Sequence, residues 1–158
     1  MTIRFDDRVA IITGAGNGLG KSHALALAER GCKVVVNDLG GAVDGSGSSA
    51  TLAEQVVAEI EAAGGEAIAN GANVANYDEV EAMVAQAKAK WGRVDILVNN
   101  AGILRDKSFA KADLDNFRAV VEVHLMGSVN CTKAVWDTMR EQEYGRIVMT
   151  TSASGLYG

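Results

Sequence analysis

The chain alternates between short runs of branched apolar residues and longer stretches in which apolar positions return every third or fourth residue. "RVAIIT", Arg8 to Thr13, is a run of the first kind, and the alanine- and leucine-rich segment Asn17–Arg30 has the helical period of the second. Gly31 stands where a left-handed cap would end that helix, and "KVVVND", Lys33 to Asp38, predicts a second strand. A polar, glycine-rich loop, "LGGAVDGSGSSA", leads to a helix near Thr51–Ala63 with Val56, Val57 and Ile60 on one face. "GGEAIA" stops that helix and opens a short third strand. "YDEVEAMVAQAKAKWG" predicts another helix, with Val80, Met83, Val84 and Ala87 at helical spacing, and "VDILVNN", Val94 to Asn100, a fourth strand. Asp113 can cap one long helix whose apolar positions Phe117, Val120, Val121, Leu125 and Val135 share a period, and "GRIVMTT" predicts a fifth strand.

Strands separated by helices of about 10 to 15 residues make βαβ units. Strands that are apolar along their whole length suit a parallel sheet buried on both faces. The predicted fold is therefore α/β, a doubly wound parallel sheet. The chain shows no further repeat, low-complexity tract or convincing linker, so one unit over residues 1–158 is expected.

Composition narrows the function classes. At 158 residues, 48% hydrophobic and 22% charged, the chain has ordinary globular proportions. Its net charge of -5 and the lack of any Lys/Arg run argue against nucleic acid as a standing partner. Cys32 and Cys131 are far apart in apolar contexts that suit buried thiols in a reducing compartment, and no metal site is expected. Charges at Arg4, Asp6, Asp7 and Arg8 interrupt the stretch where a secretory leader would be apolar, and no run reaches membrane-spanning length. A cytoplasmic protein with no membrane partner is expected.

The first chemical motif is "TGAGNGLG", Thr13 to Gly20, turning from a strand into a helix. Gly14, Gly18 and Gly20 let the backbone approach a pyrophosphate, whose charge would meet the free N–H groups and positive dipole end of the helix. The next strand ends in Asp38, close to the roughly 20-residue spacing of a carboxylate that accepts from the adenosine ribose. A carboxylate there repels a 2'-phosphate, and no arginine stands beside it, so NAD is favoured over NADP. The competing reading of Asp38 is an exposed turn acid.

"TGAGNGLG" resembles the TGxxxGxG of the short-chain dehydrogenases and reductases, and "NNAG", Asn99 to Gly102, matches their second signature. The two occur in order, at predicted strand ends, with Asp38 between them. "VVVNDLGG", "NNAGILRDKSF", "YGRIVMT" and "SASGLYG" are also similar to the (3R)-hydroxyacyl-CoA dehydrogenase domain of the type 2 peroxisomal multifunctional enzymes and their bacterial relatives. The resemblance implies a Rossmann-type domain in which Gly14, Asn17, Gly18, Leu19 and Gly20 hold the pyrophosphate. It places Asp38 and Leu39 beside the adenosine, and Asn73 and Val74 beside the adenine, where the family usually has Asp-Val. Asn100, Ala101 and Gly102, with Asn99, would brace the sheet and line the cofactor site.

The family's catalytic serine follows the fifth strand and is matched here by Ser152; its tyrosine comes thirteen residues later and its lysine four beyond that. Tyr157 stands too near Ser152, with no lysine after it, and is read as loop packing. The site is thus half present. The expectation is that residues 1–158 are the N-terminal part of an NAD-dependent enzyme interconverting a secondary alcohol and a ketone, inactive as they stand. The alternative is a non-catalytic dinucleotide-binding module. A small-molecule substrate, 3-hydroxyacyl thioesters being one class, and a homo-oligomer follow from the resemblance. His124 takes the place of the family's usual asparagine in the long helix and is read as a packing or capping residue. "RDK", Arg105 to Lys107, is read first as a solvated charge cluster and second as a contact for an acidic or CoA-bearing substrate.

Overall fold

A computed structural model describes residues 3–41, 44, 45 and 51–157. Most of the glycine-rich stretch between Gly41 and Thr51, and Gly158, lie outside the described residues. The strands are β1 (Val9–Thr13), β2 (Lys33–Asn37), β3 (Glu66–Asn70), β4 (Ile96–Asn99) and β5 (Arg146–Met149). The helices are α1 (Gly18–Glu29), α2 (Thr51–Ala62), α3 (Tyr77–Trp91), α4 (Leu114–Val121), α5 (Gly127–Glu141) and a single turn, α6 (Ser154–Tyr157). All strands are parallel in the order β3-β2-β1-β4-β5, with Ile11 between Val35 and Leu97. The chain reverses its winding at β1, which makes the carboxyl end of β1 the switch point where doubly wound sheets open a crevice.

Side chains alternate across the sheet, so each β1 residue feeds one of two cores. Ala10, Ile12, Val34 and Val36 meet Ala24 and Ala28 of α1 and Ala53, Val56 and Ile60 of α2. Val9, Ile11, Val35 and Leu97 meet Val80, Met83, Val84 and Ala87 of α3 and Cys131, Val135 and Met139 of α5. Ile11 is wholly buried, and trimming it to alanine costs about 3 kcal/mol. The residues of α1 that face the sheet, Gly20, Ala24 and Ala28, are small, and this lets the helix approach β1 closely. Cys32 and Cys131 are free and buried, and burial pushes both thiols up to about 12.

Caps follow the sequence. The Asn76 side chain accepts from Asp78 N–H at the start of α3, Gly92 ends it at φ 76°, and the Asp113 side chain accepts from Asp115 N–H at the start of α4. The long helix predicted after Asp113 is not continuous. Glu122–Met126 winds as a π-helix between α4 and α5, and Gly127 N–H donates to the Glu122 carbonyl five residues back. Of the five apolar positions that share the predicted period, Phe117 and Leu125 are 62% and 59% exposed and only Val135 is fully buried. The extra residue in the π turn shifts the helical phase after it, so Val135 no longer continues the face of Phe117, and α4 itself buries no residue. β4 starts at Ile96, two residues later than predicted, and β5 is an edge strand with Val148 and Met149 half exposed.

At the opposite end of the sheet from the switch point, Asp95 is fully buried. Arg93 donates to both of its carboxylate oxygens at 2.6 and 2.7 Å, Arg8 at 2.8 Å and Val9 N–H at 3.0 Å. Burial alone would raise this carboxyl; the donors from Arg93, Val9 and Arg8 overcome it and hold the group below the ordinary carboxylate range.

Candidate nucleotide site

The site grows from the end of β1. Gly14 leaves the strand at φ 62°, and a Cβ there would stand 2.9 Å from the Ala101 Cα. Only glycine lets these two backbones come together. Thr13, one residue earlier, joins them: its Oγ1 accepts the N–H groups of Asn100 and Ala101, each at 3.0 Å, and donates to the Val98 carbonyl at 3.3 Å. Asn100 returns the link, its Nδ2 donating to the Thr13 and Gly14 carbonyls at 3.0 and 3.1 Å. The "TGAGNGLG" turn and "NNAG" are one hydrogen-bonded body.

A cavity of about 710 Å³ opens on this body. Gly14, Asn17 and Gly18 line it near the start of α1, Asp38 and Leu39 at the end of β2, Asn73 and Val74 after β3, and Asn100, Ala101 and Gly102 after β4. The size is within the range of cofactor clefts, about 300 to 1,000 Å³. Asn17 caps α1 by accepting Gly18 N–H at 2.8 Å, so the helix begins at the cavity with its dipole's positive end toward it. The residues present fit a dinucleotide: a glycine-lined backbone approach, a helix N-terminus and, one strand away, a carboxylate.

Asp38 is not a loose turn acid. Its Oδ2 accepts Gly16 N–H and its Oδ1 accepts Gly40 N–H, both at 2.7 Å. A carboxylate offers about four acceptor positions, so capacity remains for two ribose hydroxyls. Asn37 beside it is buried and donates to Asn70 Oδ1 and the Ala72 carbonyl, both at 3.0 Å, fixing the ends of β2 and β3 together. Asn73 turns its side chain back to accept Ala75 N–H at 3.0 Å, while its own N–H donates to Glu79 at 2.8 Å.

Three predicted residues, Leu19, Gly20 and Ser152, stand outside the lining. Leu19 is exposed and not among the lining residues, and Gly20 packs: a Cβ on it would collide with the Gly14 carbonyl and come within 2.6 Å of Asn100 Nδ2. Ser152 is exposed beyond β5, its Oγ accepting Ser154 N–H at 3.3 Å at the start of α6, and is not part of the cavity wall. Tyr157, at the end of a single helical turn, is 86% exposed, so it does not pack as read among the described residues.

His124 belongs to the π-helical segment, and its ring lies against Gly102. Its Nε2 is 3.0 Å from Ile103 N and 2.9 Å from Ile103 O, accepting from the first or donating to the second according to tautomer. It holds the backbone that follows "NNAG". Arg105 is not a solvated charge: its Nε donates to the Asp44 carbonyl at 2.9 Å and its Nη1 to Asn116 Oδ1 at 2.8 Å. Asp106 and Lys107 are exposed, as a charge cluster would be. The sequence reading missed Gly16 and the Thr13 hydroxyl. The Thr13 position was visible as the first letter of the motif, but a threonine ending a strand is equally a β-former.

No group of His, Cys, Asp and Glu among the described residues could hold a metal ion, and no described helix is long and apolar enough to cross a membrane. The short chain dehydrogenase family model matches residues 8–158. The peroxisomal multifunctional enzyme type 2 of Mus musculus is 53% identical over 159 residues, covering 99% of this chain and 21% of that protein. A short chain dehydrogenase from Mycobacterium avium superposes with a TM-score of 0.84 at 45% identity, covering 95% of this chain and 56% of that one. A 7α-hydroxysteroid dehydrogenase, complexed with NADH and 7-oxo glycochenodeoxycholic acid, superposes with a TM-score of 0.88 at 35% identity, over 98% of this chain and 57% of that one. The chain belongs to the short-chain dehydrogenase family of oxidoreductases. It spans about a fifth of the mouse enzyme and a little over half of the two solved structures.

Proposed function

We propose that the cavity at the end of β1 binds NAD and that the protein interconverts a secondary alcohol and a ketone with it. The observation that carries the reading is the placement of Asp38 on the wall of a cavity whose other walls are the Gly14–Gly18 turn and Asn100–Gly102. Bound there, the nicotinamide supplies the hydride acceptor. The chain's own groups bind and orient: Gly14, Asn17 and Gly18 take the pyrophosphate, Asp38 the ribose hydroxyls, and Asn73 and Val74 flank the adenine. Ser152 donates a hydrogen bond to the substrate oxygen, and no lysine follows it in this sequence to tune a proton acceptor. Residues 1–158 form the dinucleotide-binding unit, and the substrate class to test first is 3-hydroxyacyl thioesters, from the resemblance noted above.

A homo-oligomer is part of this reading, supported by the exposed Leu114, Phe117, Leu125 and Trp136 along α4, the π-helical segment and α5. The free thiols agree with a cytoplasmic setting and equally with the peroxisomal one in the mouse enzyme's name. A second reading, a non-catalytic dinucleotide-binding module, is favoured by the position of Ser152 outside the cavity wall. Calorimetric titration with NADH tests the first requirement of both: no binding removes both. Turnover of secondary alcohols and 3-hydroxyacyl-CoA esters, assayed with NAD in the protein extended by the family's tyrosine and lysine, then separates them. The 158-residue chain itself should give no turnover above background.

A further inference from the structure

β2 and β4 lie on opposite sides of β1, so the loops that leave their carboxyl ends start on opposite sides of the Gly14 turn. The two loops nevertheless touch. Arg105, after β4, donates through Nε to the Asp44 carbonyl of the loop after β2, and through Nη1 to Asn116 of α4. Two residues before Arg105, Ile103 packs against Gly45 so closely that a Cβ there would stand 3.0 Å from Ile103 Cγ2. Gly45, Ile103 and Arg105 all line the cavity, so this bridge forms part of its wall.

We infer that Arg105 is a positioning residue that clasps the loop after β2 to α4 across the nucleotide cavity and thereby sets how long a dinucleotide stays bound. The inference rests on the dinucleotide reading of the cavity. The guanidinium is suited to the task because two of its donors point in fixed, different directions and meet acceptors on two separate elements at once. A lysine ammonium carries its three donors on one nitrogen at the end of a flexible stem, so it lacks the fixed, divergent directions of Nε and Nη1. A ligand as long as a dinucleotide, lying from Asp38 to Gly102, passes the bridge in leaving, so the bridge acts on dissociation more than on encounter.

The test is stopped-flow displacement of NADH from the unaltered protein and from Arg105→Ala, Arg105→Lys, Asn116→Ala and the Arg105→Ala/Asn116→Ala double variant, with far-UV circular dichroism and thermal midpoint as folding controls. Arg105→Ala is expected to speed dissociation about tenfold and to change association by less than about threefold. Arg105→Lys should behave like Arg105→Ala, and the double variant should dissociate no faster than Arg105→Ala, because the pair acts as one clasp. Full rescue by lysine would show a charge effect and overturn the clasp, as would dissociation within about twofold of the unaltered protein. Hydrogen exchange without cofactor keeps the two readings apart: exchange at Asp44 and Gly45 should rise in Arg105→Ala. Unchanged exchange there removes the clasp whatever the cavity binds, whereas raised exchange with no NADH binding by the unaltered protein removes only the cofactor reading.

Discussion

Thr13 and Asn100 hold each other twice: the threonine hydroxyl accepts the asparagine's backbone N–H at 3.0 Å, and the asparagine side chain donates to the threonine carbonyl at 3.0 Å. Replacing Thr13 with valine keeps the shape and leaves two backbone donors, Asn100 and Ala101, without an acceptor. The expected loss is about 2 to 3 kcal/mol in urea unfolding, together with weaker NADH binding. Thr13→Ser keeps the hydroxyl and should recover most of both. A valine variant as stable as the original would show that these contacts are incidental.

Asp38 should make NADH bind at least about tenfold more tightly than NADPH, since one repelled charge in a partly desolvated site amounts to about 1 to 2 kcal/mol. Asp38→Ala should narrow that ratio. It should also weaken NADH itself, because the same carboxylate holds the N–H groups of Gly16 and Gly40. Equal affinity for both cofactors in the unaltered protein, measured by calorimetry, would refute the assignment.

The glycines of the first turn should separate by mechanism. Gly20→Ala drives a methyl into the Gly14 carbonyl and the Asn100 amide, and should cost about 2 to 3 kcal/mol. Gly18→Ala meets no atom within 4 Å, and its cost should be only the strain of φ +55°, about 1 kcal/mol. Chemical denaturation of the two variants gives the order directly.

Asp95 makes stability depend on acid. Its folded carboxyl titrates below its ordinary value of 3.8, so its contribution is fully present above that value and is lost as pH falls through the folded one. Asp95→Asn should cost about 2 to 3 kcal/mol at neutral pH. Unfolding midpoints followed from pH 5 down should show a loss in the original protein that is smaller in the variant. Parallel curves would mean that another group controls the acid limb.

The strands and the first three helices were legible in the sequence because each strand carries an apolar run at its centre and α1, α2 and α3 keep their period, and Asp113 caps where its residue type says it should. The places of Asp38 and Asn100–Gly102 on the cavity wall were legible because close backbone approach at the end of β1 demands small residues at particular strand ends, and the carboxylate ends the neighbouring strand. Arg105 was not. Its partners are a backbone carbonyl and an asparagine amide brought near by the crossing of two loops, and neither leaves a pattern around "RDK". The π-helical segment was hidden for a different reason: one extra residue in a turn leaves the residues before and after it in good helical order. Asp95 read simply as a member of a strand, since its partner Arg8 lies just before β1, 87 residues earlier in the chain.

The position of β1 between β2 and β4 also bears on kinetics. On one side its neighbours are local, as in the contact of Cys32 with the Arg8 carbonyl 24 residues away; on the other, Asn100 and Thr13 are 87 residues apart. Closing the second side requires ordering a long loop before its contacts form, so docking of β4 onto β1 is expected to be slow, which stopped-flow refolding of a Thr13→Val variant would check. The cavity comes into being only with that docking. On the proposed function, a dinucleotide is expected to leave the folding rate unchanged, since its site does not exist beforehand, and to slow the undocking, lengthening the life of the native protein.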